Sequence, residues 1–326
     1  MKSMINKIKL QKHIPAISAN HYLCDTDITH AEIIKLFDFA ALLKNALKTC
    51  KIIPLLKGDV LGMIFEKSST RTRVSFEAGI TRLGGSGIFL SKNDIQIGRG
   101  EPISDTAKVL SRFVNIIMIR TFEQSKLEEL SANSTVPVIN GLSDTYHPCQ
   151  ALADYFTIYE RNKHLKHQKI AYIGDGNNVA NSLLLTGSIL GINVSIASPK
   201  GYQIKPEIAD IAVKNALVSG SKLCLTDSVE EAANSADYLY TDVWTSMGQE
   251  SENRSRIRAL KNFKISRKLI EKCSPKAKVM HCLPAHRGEE IDADVIDSDY
   301  SIVFDEAENR MHAQNALMCA LLKNYV

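Results

Sequence analysis

The chain of 326 residues is long enough for about two domains of ordinary size, and its 44% hydrophobic and 23% charged residues are typical of a globular protein. The net charge of +4, from 40 basic and 36 acidic residues, is a mild excess spread along the chain and does not suggest nucleic-acid binding. No apolar run approaches the roughly 20 residues of a membrane span, the N-terminus shows no signal-peptide core, and seven cysteines without a CxxC pair indicate reduced thiols in a cytoplasm.

Strand-like runs alternate with helical patterns along almost the whole chain. Strands are predicted near 59–66, 86–91, 115–119, 136–140, 169–174, 192–197, 221–225, 237–243, 277–282 and 301–304. Helices are predicted near 28–48, 70–83, 103–113, 123–132, 148–159, 178–190, 206–218, 228–234, 254–260, 266–273 and 307–324. This alternation predicts the α/β class with two doubly wound parallel sheets, and the helix that begins at Pro148 links the two units.

The turn after the first predicted strand is rich in anion-binding side chains. The run Ser-Thr-Arg-Thr-Arg at 69–73 lies between an apolar strand and a helical pattern. Backbone N–H groups at a helix N-terminus, the helix dipole and the arginine fork all favour an anion there. The simpler alternative is that Ser69 or Thr70 caps the helix and the arginines are solvated. Two arginines alternating with three hydroxyls exceed what a cap needs, so we predict a phosphate site.

Three further polar residues follow strands of the first half. Arg120 ends one apolar strand, and His147 and Gln150 come shortly after the next. In open α/β sheets ligands gather at the carboxyl ends of the strands. A histidine and a glutamine near an anion site are suited to polarise a carbonyl oxygen and to hold an amide. A structural histidine and a surface arginine are the alternatives.

The turn Gly174–Asn178 resembles the start of a dinucleotide-binding turn, which makes a nicotinamide-dependent oxidoreductase the runner-up function. However, Val179 stands where a third glycine is expected, and the next strand ends at Ser198 without the acid that holds a ribose hydroxyl. A tight turn that offers asparagine side chains to a polar ligand fits better, and a purely structural turn stays open.

Two more strand ends carry reactive groups. Asp242 is a candidate for binding an ammonium and Ser246 with the Met247 backbone for a carboxylate, although closing a turn over the tryptophan explains them as well. Cys282 stands between two histidines, but without a nearby fourth ligand this is a poor zinc site, so no metal is predicted. A thiol beside positive residues would instead have a lowered pKa and take part in binding or proton handling, unless it is buried and inert.

Together these motifs resemble those of ornithine carbamoyltransferases. The resemblance begins near residue 20 and rests on five runs in order: Ser-Thr-Arg-Thr-Arg at 69–73, His-Pro-Cys-Gln at 147–150, Asp-Val-Trp-Thr-Ser-Met-Gly at 242–248, His-Cys-Leu-Pro at 281–284 and Glu-Ala-Glu-Asn-Arg at 306–310. It implies two α/β domains with the active site in the cleft. The implied carbamoyl-phosphate-binding domain spans 1–147 with the C-terminal helix at 312–326, and the ornithine-binding domain spans 148–311.

The resemblance also implies a role for individual residues. Those for carbamoyl phosphate are Ser69, Thr70, Arg71, Thr72, Gln96, Arg120, His147, Pro148, Cys149, Gln150, Cys282, Leu283 and Arg310. Those for ornithine are Asn178, Asp242, Ser246 and Met247, and the catalytic set is Arg71, Arg120, His147, Asp242 and Cys282. Gln96 looks like the residue that a neighbouring subunit contributes in this family, which usually assembles as trimers or their multiples.

The implied reaction is attack of the neutral δ-amine of ornithine on carbamoyl phosphate, which gives citrulline and phosphate without a cofactor. Aspartate enzymes have a proline where Cys282 stands, and putrescine enzymes differ after the Asp-Val-Trp stretch, as expected for a substrate without an α-carboxylate. Ornithine is therefore the expected substrate. Transfer to another amine such as putrescine, a nicotinamide-dependent oxidoreductase and a non-catalytic phosphate-binding paralogue are the alternatives. The sequence leaves the metabolic direction open.

Overall fold

The computed structural model describes residues 9–245 and 250–325. Contacts divide the chain into two units: unit 1 runs to Phe156 and resumes at Asn309, and unit 2 is Thr157–Glu308. Both divisions fall inside helices. The sequence placed the corresponding divisions at 148 and 312, at the start of the first of these helices and further along the second.

Unit 1 contains a four-stranded parallel sheet with the order β2-β1-β3-β4. Its strands are β1 (Val60–Phe65), β2 (Ser86–Ser91), β3 (Ile116–Arg120) and β4 (Val138–Leu142). The helices in this part of the chain are α1 (His30–Thr49), α2 (Thr70–Arg82), α3 (Ile103–Leu110), α4 (Gln124–Ala132) and α5 (Pro148–Arg161).

The inner strands of unit 1 are apolar because helices cover both faces of a parallel sheet. Every residue of the inner strand β3 is buried, and so is every residue of the edge strand β4. Ile64, Ile117 and Ile119 form one core with Leu127 of α4 and Val138 of β4. The carboxyl ends of these strands, and the turns that follow them, are thereby held in fixed positions.

Unit 2 contains a five-stranded parallel sheet with the order β7-β6-β5-β8-β9. Its strands are β5 (Lys169–Ile173), β6 (Asn193–Ala197), β7 (Leu223–Thr226), β8 (Tyr238–Thr241) and β9 (Lys278–His281). The remaining helices are α6 (Asn178–Leu190), α7 (Pro206–Ser219), α8 (Val229–Ala233), α9 (Asn253–Leu260), α10 (Arg267–Cys273), α11 (Ala293–Ile296) and α12 (Val303–Lys323).

The predicted α/β class with two parallel sheets is confirmed, but the predicted strand at 301–304 is wrong. Ser301 makes only an isolated bridge to Val279, and helix α12 begins at Val303. The apolar run there is too short for periodicity to separate a strand from the buried start of a helix. Among the described helices, none is both long and apolar enough to cross a membrane.

Candidate active site

Helix α2 in unit 1 begins at the predicted phosphate turn. Ser69 is its N-cap, and the Ser69 hydroxyl accepts a hydrogen bond from the backbone N–H of Thr72 at 3.2 Å. Thr70 and Arg71 occupy the first turn, where Thr70 is exposed and Arg71 is half-buried. The cap and the anion site are therefore compatible, because one turn satisfies its own N–H group and still presents hydroxyls and a guanidinium.

Two buried arginines converge on Thr72. Nη1 of Arg120, at the end of β3, lies 3.5 Å from the Thr72 hydroxyl oxygen, and Nη2 of Arg310, on α12, lies 3.4 Å from it. Arg120 and Arg310 are only 6% and 3% exposed. Like charges held this close repel each other strongly where water is excluded, so the arrangement favours an anion of high charge.

His147 is buried in the same group. Burial first, and then the positive charges of Arg310, Arg120 and Arg71, hold its pKa well below the usual 6.5. The imidazole is consequently neutral at physiological pH and can donate a hydrogen bond to a polarised oxygen. The next residues begin α5: the Pro148 carbonyl lies 3.5 Å from the Tyr22 hydroxyl.

The two remaining members of the His-Pro-Cys-Gln motif differ in character. Burial raises the pKa of the Cys149 thiol to about 12, so this thiol stays protonated. Gln150 is oriented by two partners: its side-chain oxygen accepts from Arg310, and its amide nitrogen donates to Asp154 at 2.7 Å. Sequence reasoning missed Asp154, although its i,i+4 spacing from Gln150 on a helix was the available signal.

Gln96 lies apart from these residues in the chain. It begins the short 3-10 turn Gln96–Arg99 after β2, and its side chain is exposed. An exposed position is compatible with its predicted contribution to a neighbouring subunit, which stays a prediction.

In unit 2, Asp242 after β8 is held by hydrogen bonds at both carboxylate oxygens. Asn177 Nδ2 donates to Oδ2 at 2.8 Å, and the Cys282 thiol donates to Oδ1 at 2.9 Å, as does the Val243 backbone N–H at 2.8 Å. Asp242 is buried, since the residue is only 6% exposed. The side chain that faces the Cys282 thiol at this contact is a carboxylate, and the expectation of positive neighbours stays a prediction.

Asn177, the neighbour of the predicted ornithine ligand Asn178, donates the hydrogen bond to Asp242, and the role of Asn178 stays a prediction. The Asn177 side-chain oxygen caps α6 by accepting from the N–H groups of Val179 and Ala180 at 3.0 and 3.1 Å, which leaves its amide nitrogen for Asp242. An asparagine directly before a helical pattern is a typical N-cap, and this was the available sequence signal for the position of Asn177. Asn178 is half-buried in the first turn of α6.

Close packing against another part of the chain requires a glycine at position 176 of the Gly174–Asn178 turn. A Cβ on Gly176 would lie 2.6 Å from backbone atoms of Gln203 and Ile204. The Gly176 N–H donates to the Tyr202 carbonyl at 2.7 Å. The neighbouring chain thus explains the glycine without a pyrophosphate, which removes the main reason for the nicotinamide alternative.

The His-Cys-Leu-Pro turn is fixed from behind by buried groups. His281 Nδ1 accepts from the Leu283 N–H at 2.8 Å, so Nε2 carries the proton and donates to Glu290 at 3.0 Å. The His281 N–H donates to Glu306 at 2.9 Å. Sequence reasoning missed Glu290, and it named Glu306 within a motif without giving it a role, because no local pattern predicts these contacts.

One group of side chains at this turn could hold a metal ion, but its histidine already makes the hydrogen bonds just described. Side chains of Asp242, His281 and Cys282 offer ligand atoms within 4.8 Å of one another. His281 already uses both ring nitrogens, so a metal on it would cost one of those hydrogen bonds. The absence of a metal from the reaction stays a prediction.

The loop after Asp242 is anchored through Arg256. Arg256 pairs with Asp175, and its Nε donates to the Trp244 carbonyl at 2.7 Å. Burial raises the pKa of Asp175 to about 6, and Arg256 opposes that rise. Trp244 is a core residue whose indole N–H lies 3.3 Å from the Phe263 carbonyl. The predicted ligands Ser246 and Met247 follow directly and lie outside the described residues.

Unit 1 thus brings buried cationic side chains together, and unit 2 places a buried carboxylate beside a thiol. Residues 20–160 match the carbamoyl-phosphate-binding domain of aspartate/ornithine carbamoyltransferases, and residues 166–321 match the aspartate/ornithine-binding domain. The chain therefore belongs to the aspartate/ornithine carbamoyltransferase family.

Within this family, the chain is similar to proteins named ornithine carbamoyltransferase. An ornithine carbamoyltransferase of Caldicellulosiruptor saccharolyticus is 52% identical over 298 residues, which cover 91% of this chain and 97% of that protein. The solved ornithine carbamoyltransferase of Pyrococcus furiosus is 46% identical, with a TM-score of 0.91 over 95% of this chain and 99% of its own. The solved anabolic ornithine carbamoyltransferase of Campylobacter jejuni is 43% identical, with a TM-score of 0.87 over 94% of this chain and 99% of its own.

Proposed function

We propose that this chain is an ornithine carbamoyltransferase, which transfers the carbamoyl group of carbamoyl phosphate to the δ-amine of L-ornithine. The observation that carries the proposal is the convergence of Arg120 and Arg310 on the Thr72 hydroxyl at 3.5 and 3.4 Å. A phosphate ester with about two negative charges offsets the repulsion between two buried guanidiniums, as a single neutral ligand would not.

Unit 1 supplies the electrophile in this proposal. The hydroxyls and guanidiniums of Ser69, Thr70, Arg71 and Thr72, with Arg120 and Arg310, bind the phosphate group. His147, which is neutral because burial and neighbouring arginines lower its pKa, donates a hydrogen bond to the carbamoyl oxygen. Charge that develops on this oxygen and on the leaving phosphate is stabilised by groups already in place.

Unit 2 supplies the nucleophile. Asp242 binds the δ-ammonium of ornithine, and the Cys282 thiol, 2.9 Å from the Asp242 carboxylate, orients that carboxylate and takes part in removing the proton. The neutral δ-nitrogen then forms a bond to the carbamoyl carbon. The bond from that carbon to the oxygen that bridges it to phosphorus breaks, and phosphate leaves with the electron pair. The further proton that the nitrogen loses is taken up by the leaving phosphate, which gives citrulline and hydrogen phosphate. Aligning two substrates contributes several kcal/mol to the rate.

The choice of ornithine depends on its α-groups. We assign them to Asn178, Ser246 and Met247, of which Asn178 lies in the first turn of α6. A site built to pair an α-carboxylate and an α-ammonium should reject putrescine strongly, because its polar groups would lose their partners on burial. Putrescine is therefore the alternative substrate that the assay must include.

The cellular setting and assembly are part of the proposal. We propose a homotrimer in which a neighbouring subunit supplies Gln96, located in the cytoplasm and used in arginine biosynthesis. The exposed position of Gln96 supports the first point. The similarity to an anabolic relative, at 43% identity, supports the last.

Citrulline formation from ornithine and carbamoyl phosphate tests the activity, with putrescine and aspartate in parallel reactions. We expect citrulline from ornithine and less than about one ten-thousandth of that kcat/KM with putrescine. Comparable rates with putrescine would overturn the substrate assignment. No turnover with any of the three amines would overturn the proposal that the chain is a carbamoyltransferase. Sedimentation of the same sample tests the trimer.

A further inference from the structure

Lys67 is a buried lysine of unit 1 to which the proposed mechanism gives no role. It is only 8% exposed and lies two residues before the α2 cap Ser69. Its ammonium pairs with Asp144 and sits 4.1 Å from the centre of the Phe122 ring. Burying a lysine is costly, so a lysine at this depth is retained together with specific partners.

These three residues belong to the turns after three different strands. Lys67 follows β1, Phe122 follows β3 and Asp144 follows β4. The backbones of these turns are also joined, since the Asp144 N–H donates to the Phe122 carbonyl at 2.7 Å. The Glu66 N–H donates to the Arg120 carbonyl at 2.9 Å.

Each turn adjoins a residue assigned to carbamoyl phosphate. One residue lies between Lys67 and Ser69, one lies between Arg120 and Phe122, and two lie between Asp144 and His147. A shift of one turn against another would change the spacing of the hydroxyls, guanidiniums and imidazole that must meet a single small ligand. Binding and rate respond to misplacements of about 1 Å.

We propose that Lys67, clamped between Asp144 and the Phe122 ring, is a positioning residue that sets the register of the three carbamoyl-phosphate-binding turns of unit 1. The inference rests on the proposed function. The alternative is that the Lys67 charge attracts the phosphate directly. The two hypotheses predict opposite changes in ligand affinity when Asp144 loses its charge. In the first, Asp144 holds the lysine in place, so affinity falls. In the second, Asp144 only neutralises the lysine, so affinity stays the same or rises.

The Asp144→Asn variant separates these cases. Its side chain is 60% exposed, so the substitution leaves the core intact. Calorimetry with phosphonoacetamide, a non-hydrolysable analogue of carbamoyl phosphate, should show about tenfold weaker binding, since a lost charge pair in a coupled network costs on the order of a factor of ten. If Lys67 attracts the phosphate directly, binding should be unchanged or tighter.

A double-mutant cycle adds the coupling between the two side chains. Lys67→Met and Asp144→Asn together should bind the analogue about as weakly as either alone, whereas Asp144→Glu, which keeps the carboxylate, should bind within about threefold of the wild type. The matched control is the exposed pair Lys108 and Asp105 of α3, for which Lys108→Met and Asp105→Asn should leave binding unchanged.

Kinetics show whether the effect is on positioning. The KM for carbamoyl phosphate should rise in Asp144→Asn while the KM for ornithine and the melting temperature stay near wild-type values. Equal affinities in the wild type and in Asp144→Asn, or tighter binding in the variant, would overturn this inference alone. A wild type that does not bind the analogue would overturn the proposed function and the inference with it.

Discussion

The carboxyl edges of the two sheets have the same backbone geometry and opposite chemistry. In unit 1, β3 ends in Arg120, which reaches toward Thr72 together with Arg310. In unit 2, β8 is followed by Asp242, which accepts hydrogen bonds from Asn177 and Cys282. Both edges are built from parallel strands that are followed by helices. The same backbone arrangement thus carries side chains of opposite charge at the two edges, because the residue type at each strand end differs while the sheet geometry does not.

Burial acts on the two edges in different ways. In unit 1 it keeps the His147 imidazole uncharged among arginines, because both desolvation and like charge oppose protonation and lower its pKa. In unit 2 it raises the pKa of Asp175 to about 6, while the Arg256 partner opposes the rise. The first edge thus has a neutral hydrogen-bond donor within a positive group, and the second has acids held by specific partners.

The largest loss of activity is expected when the cationic edge of unit 1 loses a guanidinium. Arg120→Met should lower kcat/KM for carbamoyl phosphate by about 10³-fold, because one preorganised donor to developing charge is removed from a buried site. Initial rates at varied carbamoyl phosphate measure this, with the exposed Arg112→Met of the same unit as the matched control. A loss no greater than in the control would contradict the phosphate assignment.

The acidic edge should respond at the other substrate. Asp242→Asn should lower kcat/KM for ornithine by about 10²-fold, because a charge-assisted hydrogen bond to the ammonium is lost. Calorimetry with phosphonoacetamide should give an unchanged dissociation constant, since that ligand is assigned to unit 1. Asp210→Asn on α7, where the aspartate is exposed, is the control. Weakened binding of the analogue would show that the division of ligands between the edges is wrong.

The Cys282 thiol offers a smaller and more specific test. Cys282→Ser keeps a donor for Asp242 and should reduce kcat by about threefold, whereas Cys282→Ala removes the donor and should reduce it by about tenfold. Rates of the two variants measured side by side decide between a hydrogen-bonding role and thiolate chemistry. If serine is as damaging as alanine, the hydrogen bond seen here is not the reason for the thiol.

The smallest expected effect concerns the protonation of His147. Its pKa lies well below that of a free imidazole, so its NMR signals should show no titration near pH 6.5, with His147→Gln used for assignment. The unfolded state takes up the proton as pH falls through about 6.5 while the folded state does not. Acidification from pH 7 to 5 should therefore destabilise the wild type more than His147→Gln. An inflection near 6.5 in the folded protein would contradict a neutral donor.

Much of the fold was predictable because buried parallel strands are almost continuous apolar runs. The run at 60–65 and the helix at 178–190 coincide closely with their predictions. The strand predicted at 301–304 was wrong, and Ser301 makes only an isolated bridge there, because a short apolar run before a helix resembles a strand locally. The candidate residues were found from their places after strands. Asp154 was missed although helix spacing pointed to it, and Asn177 was noted only as part of its turn although helix capping pointed to its role.

The sequence by itself determined the alternation of strands and helices, the polar residues after each strand and the family resemblance, because these depend on residue type and order along the chain. Tertiary structure alone decided which of those residues meet. Thr72 and Arg310 are 238 positions apart, and Asn177 and Asp242 are 65 apart. Contacts over such distances arise from the packing of whole strands and helices, which also buries His147 and thereby sets its charge.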